Sequence, residues 1–321
     1  MMVYCLRFGF SARKREKPRE KKEMTEFHAD DYGLFVAQSR RILDCWQNGA
    51  LNGTSIMPNS PCLSECLDML PPEGLSLTVH LNLMEGRCVA AKEELPLLVN
   101  ADGVFCASFA SLLFCRFTGR YEEYRRELRR ELSAQIHALL PYFEQRGQAL
   151  RLDGHAHWHM LPVVFDALMD VIAEERLDVA YIRIPREPLG LLLGKLFRIL
   201  PFHPINIVKS LLLHALAGRN LRRCGAELAC MEKKLFLGVL LSGCFDYDRI
   251  TALLPAAERE ASRRGWGVEL LAHPGAVYEQ DDLQALTNRD DRGFLGSPDR
   301  LVEAEGLKKL GKKETAHVKK A

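Results

Sequence analysis

From Thr25 onward, short apolar runs alternate with longer stretches of helical period, the pattern of successive βα units built into a parallel sheet. Thr25–Ala29 predicts a strand that stops at Asp30-Asp31, and Tyr32-Gly33 turns the chain into a helix over Phe35–Gln47, closed by Asn48-Gly49. Asn52-Gly53 leads into a strand over Thr54–Met57, and a helix over Leu63–Leu70 ends before Pro71-Pro72. Leu75–Leu83 predicts a third strand and Tyr121–Arg146 the longest helix. On that helix Glu122, Glu123, Glu127 and Glu131 alternate with Arg125, Arg126, Arg129 and Arg130, which reads as a solvated, ion-paired face. Strands over Leu150–Asp153, Ala180–Ile184, Leu235–Leu241 and Gly267–Ala272 follow, with a helix over Pro162–Glu175 whose proline suits a first turn. The Leu-rich stretches Leu189–Leu200 and Ile205–Leu216 read as packing helices covering one end. Seven strand candidates, no internal repeat and no second boundary predict an α/β chain with one closed or nearly closed (β/α) barrel over residues 25–305.

Composition changes this picture only at its edges. In 321 residues, 47% are hydrophobic and 27% charged, as in globular domains. The net charge of +2 hides a split. Residues 1–25 hold eight Lys/Arg against three Glu, and residues 306–321 hold six Lys against one Glu, which leaves 26–305 at −8. An acidic body between basic tails (1–24 and 306–321) argues against a nucleic-acid reader, whose basic groups line a folded face. No apolar run reaches the ~18 residues of a membrane span. The ten cysteines are scattered, and only Cys62 and Cys66 lie close; they read as reduced core thiols of a cytoplasmic protein.

The chemistry-bearing residues gather at predicted strand ends: Asp30-Asp31, His80, Asp153-Gly154-His155, Arg183 with Arg186, and His273. In a parallel barrel these ends form one face, so distant residues converge. The Asp pair has two readings, a helix cap or a cation-binding carboxylate beside one free to take a proton. Asp281-Asp282 and Asp290-Asp291 repeat the dipeptide in an apparent C-terminal loop, so position must decide. His155-x-His157-x-His159 is a stronger signal, although Gly154 ahead and a helix behind suggest that only the first ring reaches the site. Two imidazoles and a carboxylate would leave open positions on a first-row metal, as catalytic sites do. A lone His80 on an apolar strand is more often a satisfied core residue, yet the Asp and His clusters call for one more ligand. His273, between a strand and a Pro-Gly turn, is placed as a proton donor. His28, His137, His203, His214 and His317 have no partner at a strand end and receive no role.

These motifs, in order, resemble the YdjC-like carbohydrate deacetylases, which include chitooligosaccharide deacetylases. They are His28-Ala29-Asp30-Asp31-Tyr32-Gly33-Leu34, Gly53-Thr54-Ser55-Ile56-Met57-Pro58-Asn59, Val79-His80-Leu81-Asn82-Leu83, Asp153-Gly154-His155-Ala156-His157-Trp158-His159, Arg183-Ile184-Pro185-Arg186-Glu187 and Ala272-His273-Pro274-Gly275. The stretch from Phe294 to Glu303 is similar to the family's closing segment. The resemblance implies an irregular, TIM-like (β/α) barrel and one divalent metal ion, Mg²⁺ or Zn²⁺, held by Asp31, His80 and His155. It also implies Asp30 as general base and His273 as general acid. Arg183, Arg186 and Asn59, within the same motifs, are the candidate substrate contacts. His28 departs from the family's usual Asn, and Ala156 from a frequent His.

The expected activity is metal-dependent removal of an N-acetyl group from a small carbohydrate, with release of acetate. The expectation includes no nucleic acid and no membrane as partner, and leaves a homodimer open. Two alternatives remain at this point: the same site acting on another amide or a phosphoester, and a non-catalytic barrel that binds a sugar or a partner.

Overall fold

The computed structural model describes residues 25–318 and is framed by seven strands: β1 (Thr25–Tyr32), β2 (Gly53–Ile56), β3 (Ser76–Leu81), β4 (Leu150–Gly154), β5 (Val179–Ile182), β6 (Lys234–Leu237) and β7 (Gly267–Ala272). Every paired neighbour is parallel, in the order β5-β4-β3-β2-β1-β7-β6. The sheet curls until its two edges face each other. Tyr181 on β5 donates its hydroxyl to Glu269 on β7, and the Lys234 ammonium of β6 lies 4.7 Å from the centre of the Tyr181 ring. The Glu232 amide, just ahead of β6, donates to the Ala180 carbonyl at 2.8 Å. No ladder joins β5 to β6 among the described residues, so the expected barrel is present as a curled, parallel, seven-stranded sheet with helices outside it.

Strands in parallel sheets usually read as continuous apolar runs, but here polar and apolar positions alternate. Outward residues such as Phe27, Ala29, Ile56, Leu77, Val79, Leu152 and Leu270 join the main apolar core under the helices. Burying one Leu, Ile or Val side chain there contributes about 1.5–3 kcal/mol. The concave side is instead filled by charge. Arg151 Nη2 donates to Glu26 Oε1 at 2.8 Å, Lys234 pairs with the same carboxylate, and Arg183 Nε donates to Glu269 Oε1 at 2.7 Å. The interior is tight enough that a Cβ on Gly53 would lie 2.7 Å from both Glu26 Oε1 and His28 Nδ1. A side chain there would displace the Glu26–His28 pair.

Several expectations are revised. The strand expected over Leu235–Leu241 ends at Leu237, because the buried Glu187 carboxylate accepts the next three amides, Gly238, Val239 and Leu240, at 3.0–3.2 Å. The Leu-rich segment forms helices Leu189–Gly194, Leu196–Ile199 and Pro204–Leu228; Leu192, Ile199, Leu213 and Leu216 pack inward, whereas Phe197 is 95% exposed. On helix Tyr121–Gln145 Arg125, Arg129 and Arg130 do form ion pairs, but Glu127 and Glu131 are buried and accept amides of the 89–97 loop. The predicted basic tail at 306–321 is not a tail through residue 318: helix Asp299–Val318 runs across the expected boundary, with Leu307 and Leu310 buried. Residues 280–295, read as a loop, contain helices Gln280–Ala285 and Arg289–Leu295. The N-terminal tail over 1–24 lies outside the described residues. Among the described residues no helix is long and apolar enough to cross a membrane, and Cys62 and Cys66 are both free.

Candidate metal centre

In a regular strand adjacent side chains point to opposite faces, so Asp30 and Asp31 could not both enter the site. The structure resolves this with a bulge. The β1–β2 register moves from Ala29↔Thr54 to Tyr32↔Ile56, and Asp31 takes φ 70°, a left-handed conformation that Asp tolerates better than most residues. Both carboxylates therefore reach groups on the concave side. The capping alternative does not apply, since helix Val36–Gln47 begins at Phe35 with no side-chain cap.

Asp31, His80 and His155 converge, their ligand-type atoms lying within 4.8 Å of one another, and all three are buried. His155 Nδ1 is 2.8 Å from Asp31 Oδ1, and His80 Nε2 is 3.2 Å from the same oxygen without forming a hydrogen bond. His80 Nδ1 is 2.7 Å from Asp153 Oδ1, a contact prepared by the sheet, because His80 and Asp153 are direct register partners on β3 and β4. Burial works against the charge of Asp31, but the two rings outweigh it and hold the carboxyl well below the usual carboxylate range. Burial likewise disfavours charged imidazoles. Asp30 and Asp153 nonetheless raise His80 to about 9, and Asp291 and Asp31 hold His155 well above an ordinary histidine.

This arrangement suits a cation. Two imidazole rings crowd one carboxylate, and Asp31 Oδ2 and His80 Nε2 are buried without any hydrogen-bond partner. Carboxylate oxygen with two imidazole nitrogens is a donor set suited to Zn²⁺ and its first-row neighbours. The contact from Asp153 to the far nitrogen of His80 is the outer-shell carboxylate that such ligands usually have.

A profile of the family described as YdjC-like protein matches residues 26–309. The chain belongs to the YdjC-like family. It is 27% identical over 297 residues to a carbohydrate deacetylase of Danio rerio, covering 87% of this chain and 90% of that one. To a carbohydrate deacetylase of Xenopus laevis it is 25% identical, covering 87% and 89%, and to one of Geobacillus stearothermophilus 29% over half of this chain and 60% of the relative. Among solved structures, an Enterococcus faecalis protein provisionally described as a cellobiose-phosphate cleavage protein shares the fold at a TM-score of 0.61 and 17% identity, over 92% of this chain and 94% of that one.

Within this YdjC-like chain the other expected site residues fall in different places. Asp30 is 3% exposed, and both its oxygens lie 2.9 Å from Arg183 Nη1. Arg183, expected to touch substrate, is fully buried, paired with Asp30, Asp153 and Glu269, so it serves the carboxylates rather than a ligand. Arg186 is exposed and contacts His214 at 3.1 Å. Asn59 is engaged in a loop clasp, donating to the Glu85 and Arg87 carbonyls at 2.8 and 2.9 Å while accepting from Asn82. His273 is half-buried with its backbone amide on Glu303 Oε2 at 2.5 Å, its ring nitrogen Nδ1 3.8 Å from that oxygen, and its ring edge against Phe294. Of the His triplet only His155 joins the cluster. Left-handed Ala156 and His157 turn the next two rings away; His159 Nε2 contacts the Arg183 carbonyl at 2.8 Å. Burial and the Arg183 charge keep His157 uncharged at ordinary pH.

His28, Glu269 and Asp291, none with an assigned role, belong to the same network, and Glu303 supports His273 separately. His28 bridges Glu26 and Ser55 at 2.7 Å each, and Ser55 donates to Asp153 at 2.5 Å, so the ring set aside in the sequence connects to the support of His80. Glu269 pairs with Arg183, and Glu303 holds the His273 amide. Asp291, dismissed as part of a loop, is buried with Oδ2 3.0 Å from His155 Nε2. The strand alternation Glu26-x-His28-x-Asp30 was the readable signal for His28; Asp291 lies three residues before the family-like closing segment, the only hint the sequence held.

Proposed function

We propose that the protein is a metal-dependent hydrolase that removes an N-acetyl group from a carbohydrate and releases acetate. The observation that carries this reading is the convergence of Asp31, His80 and His155 with two unpartnered ligand atoms, in a YdjC-like chain whose full-length relatives bear the name carbohydrate deacetylase. Asp31, His80 through Nε2 and His155 would hold the ion. A bound divalent ion supplies an acidified water and a polarised acetyl carbonyl.

The protein's own groups handle the protons. Asp30, gripped on both oxygens by Arg183, stays at a fixed angle beside the cluster and accepts the proton of the attacking water. His273 delivers a proton to the sugar nitrogen, which leaves poorly as an anion; Glu303 anchors its backbone and Phe294 its ring. Glu303 remains ionised for this purpose. Burial pushes its carboxyl up, but Arg300 and the contacts to His273 outweigh burial and bring it to about 2. Of the three candidate sugar contacts, Arg183 is buried among carboxylates and Asn59 is engaged by its loop, which leaves the exposed Arg186 as the one open to substrate.

The test is a release assay with the purified protein on N-acetylated mono- and oligosaccharides beside phosphoesters. The reading predicts acetate from the former and no phosphate from the latter. Phosphate release without acetate would transfer the same centre to a different reaction, and neither product would sink the enzymatic reading.

A further inference from the structure

His80 and His155 are tethered in opposite senses. His80 is held at Nδ1 by Asp153, which leaves Nε2 facing the cluster; His155 is held at Nε2 by Asp291, which leaves Nδ1 facing Asp31. Asp153 has further partners in Arg183 and Ser55. Asp291 has one ionic partner among the described residues, His155. Its side chain is only 7% exposed.

The backbone carrying Asp291 is fixed by residues that follow β3. Asn82, the first residue after that strand, donates to the Glu85 carbonyl at 2.6 Å. The Glu85 carboxylate in turn accepts the Thr287 amide at 2.8 Å, the Thr287 hydroxyl at 2.9 Å and the Asn288 amide at 2.8 Å. Asn288 then caps helix Arg289–Leu295, with Oδ1 2.8 Å from the Asp290 amide. The Val277 amide bonds the Leu295 carbonyl at 3.0 Å and closes the other end of that helix. A continuous set of hydrogen bonds thus runs from the strand of one ring to the carboxylate that holds the other.

We propose that Asp291 is the positioning residue of His155: it accepts the Nε2–H, fixes the tautomer and ring plane, and so presents Nδ1 to the divalent ion. The inference rests on the metal-dependent reading of the site. It makes the two histidines ligate through different nitrogens, each fixed by a carboxylate from another part of the chain. The short helix 289–295 becomes part of the metal centre although it contributes no ligand.

The experiment compares wild type with Asp291→Ala, Asp291→Leu, Asp291→Asn and Asp290→Ala, the last removing an exposed charge one residue away. Zn²⁺ affinity is read by competition with a chromophoric chelator, and folding by circular dichroism. The Ala and Leu variants should bind about 10- to 100-fold more weakly, the usual cost of losing an outer-shell partner. Asn, whose amide oxygen still accepts the Nε2–H, should recover most of that loss, and Asp290→Ala should match wild type. Wild-type affinity in a folded Ala or Leu variant would overturn the proposal. A second readout needs no metal: in crystals of chelator-treated protein, the His155 ring should leave its place against Asp31 in the Ala and Leu variants and keep it in wild type. An unmoved ring would also overturn the proposal. If wild type itself binds no Zn²⁺, the reading of the centre fails, while the ring positions still decide the role of Asp291.

Discussion

Asp30 and Asp31 are neighbours in the chain but meet different charges. Asp31 faces two imidazoles that can lose protons and donate to an ion, whereas Asp30 faces a guanidinium that stays charged and cannot leave. The proposed split into a ligand and a base rests on that difference. Asp30→Asn should therefore retain the ion, measured by elemental analysis, and lose about 10²- to 10⁴-fold in turnover; near-full turnover would remove Asp30 from the mechanism. Arg183 is the corresponding structural risk. Arg183→Met leaves Asp30, Asp153 and Glu269 without their shared buried cation, and the cost of breaking such pairs, about 3–5 kcal/mol, should appear as a shifted urea midpoint. Stability equal to wild type would mean that water already solvates these carboxylates. Asp31, His80 and His155 were legible as candidates because polar side chains at the ends of apolar strands stand out, and the family resemblance grouped them as proposed ligands. The burial of Arg183 and the support from Asp291 were not, since both depend on partners on distant elements, up to 153 residues away for Arg183 and 136 for Asp291.

The strands and helices Val36–Gln47, Tyr121–Gln145 and Pro162–Glu174 followed from hydrophobic period to within a few residues of the expected bounds, whereas helix Pro204–Leu228 runs twelve residues past the expected Ile205–Leu216 and helix Tyr247–Arg264 was not anticipated. Nor was the bulge between Ala29 and Tyr32, because period-2 alternation has no way to mark one extra residue. Helix Asp299–Val318 was hidden for another reason: six lysines against one glutamate near the end look like a solvated tail. Leu307 and Leu310, three apart and both buried, were the contrary signal. Leu307→Ala should cost about 2–5 kcal/mol in chemical denaturation, as for other buried leucines, and no measurable loss would return the segment to a tail. The same helix carries Glu303, which accepts the amides of Gly243 at 2.6 Å and His273 at 2.5 Å. Its folded value of about 2 lies below the ordinary 4.5, so its contribution to stability is full above roughly pH 4.5 and is lost as pH falls through about 2. Wild type should lose more stability between pH 5 and pH 3 than Glu303→Gln does. Equal losses would contradict the depressed value.

At the scale of the whole molecule, the curled sheet separates two kinds of interior. Apolar contacts between strands and helices supply the driving force for folding, and a connected set of charges on the concave side fixes the site. That set runs from Lys234 and Arg151 through Glu26, His28 and Ser55 to Asp153 and His80. Its cost is tolerable because the network supplies each charge with an opposite charge or a hydrogen bond. The fold class was legible from the βα alternation, and the family from its ordered motifs; the charged interior was not, since pairing between strands determines which polar residues meet. The central claim is that Asp31, His80 and His155 hold one divalent ion on which hydrolysis depends. The most direct measurement is acetate release from N,N′-diacetylchitobiose by protein stripped with a chelator and then resupplied with Zn²⁺ or Mg²⁺. The account predicts no release from stripped protein and recovery on adding back an ion, with no recovery in His80→Ala; unchanged release after stripping would contradict it.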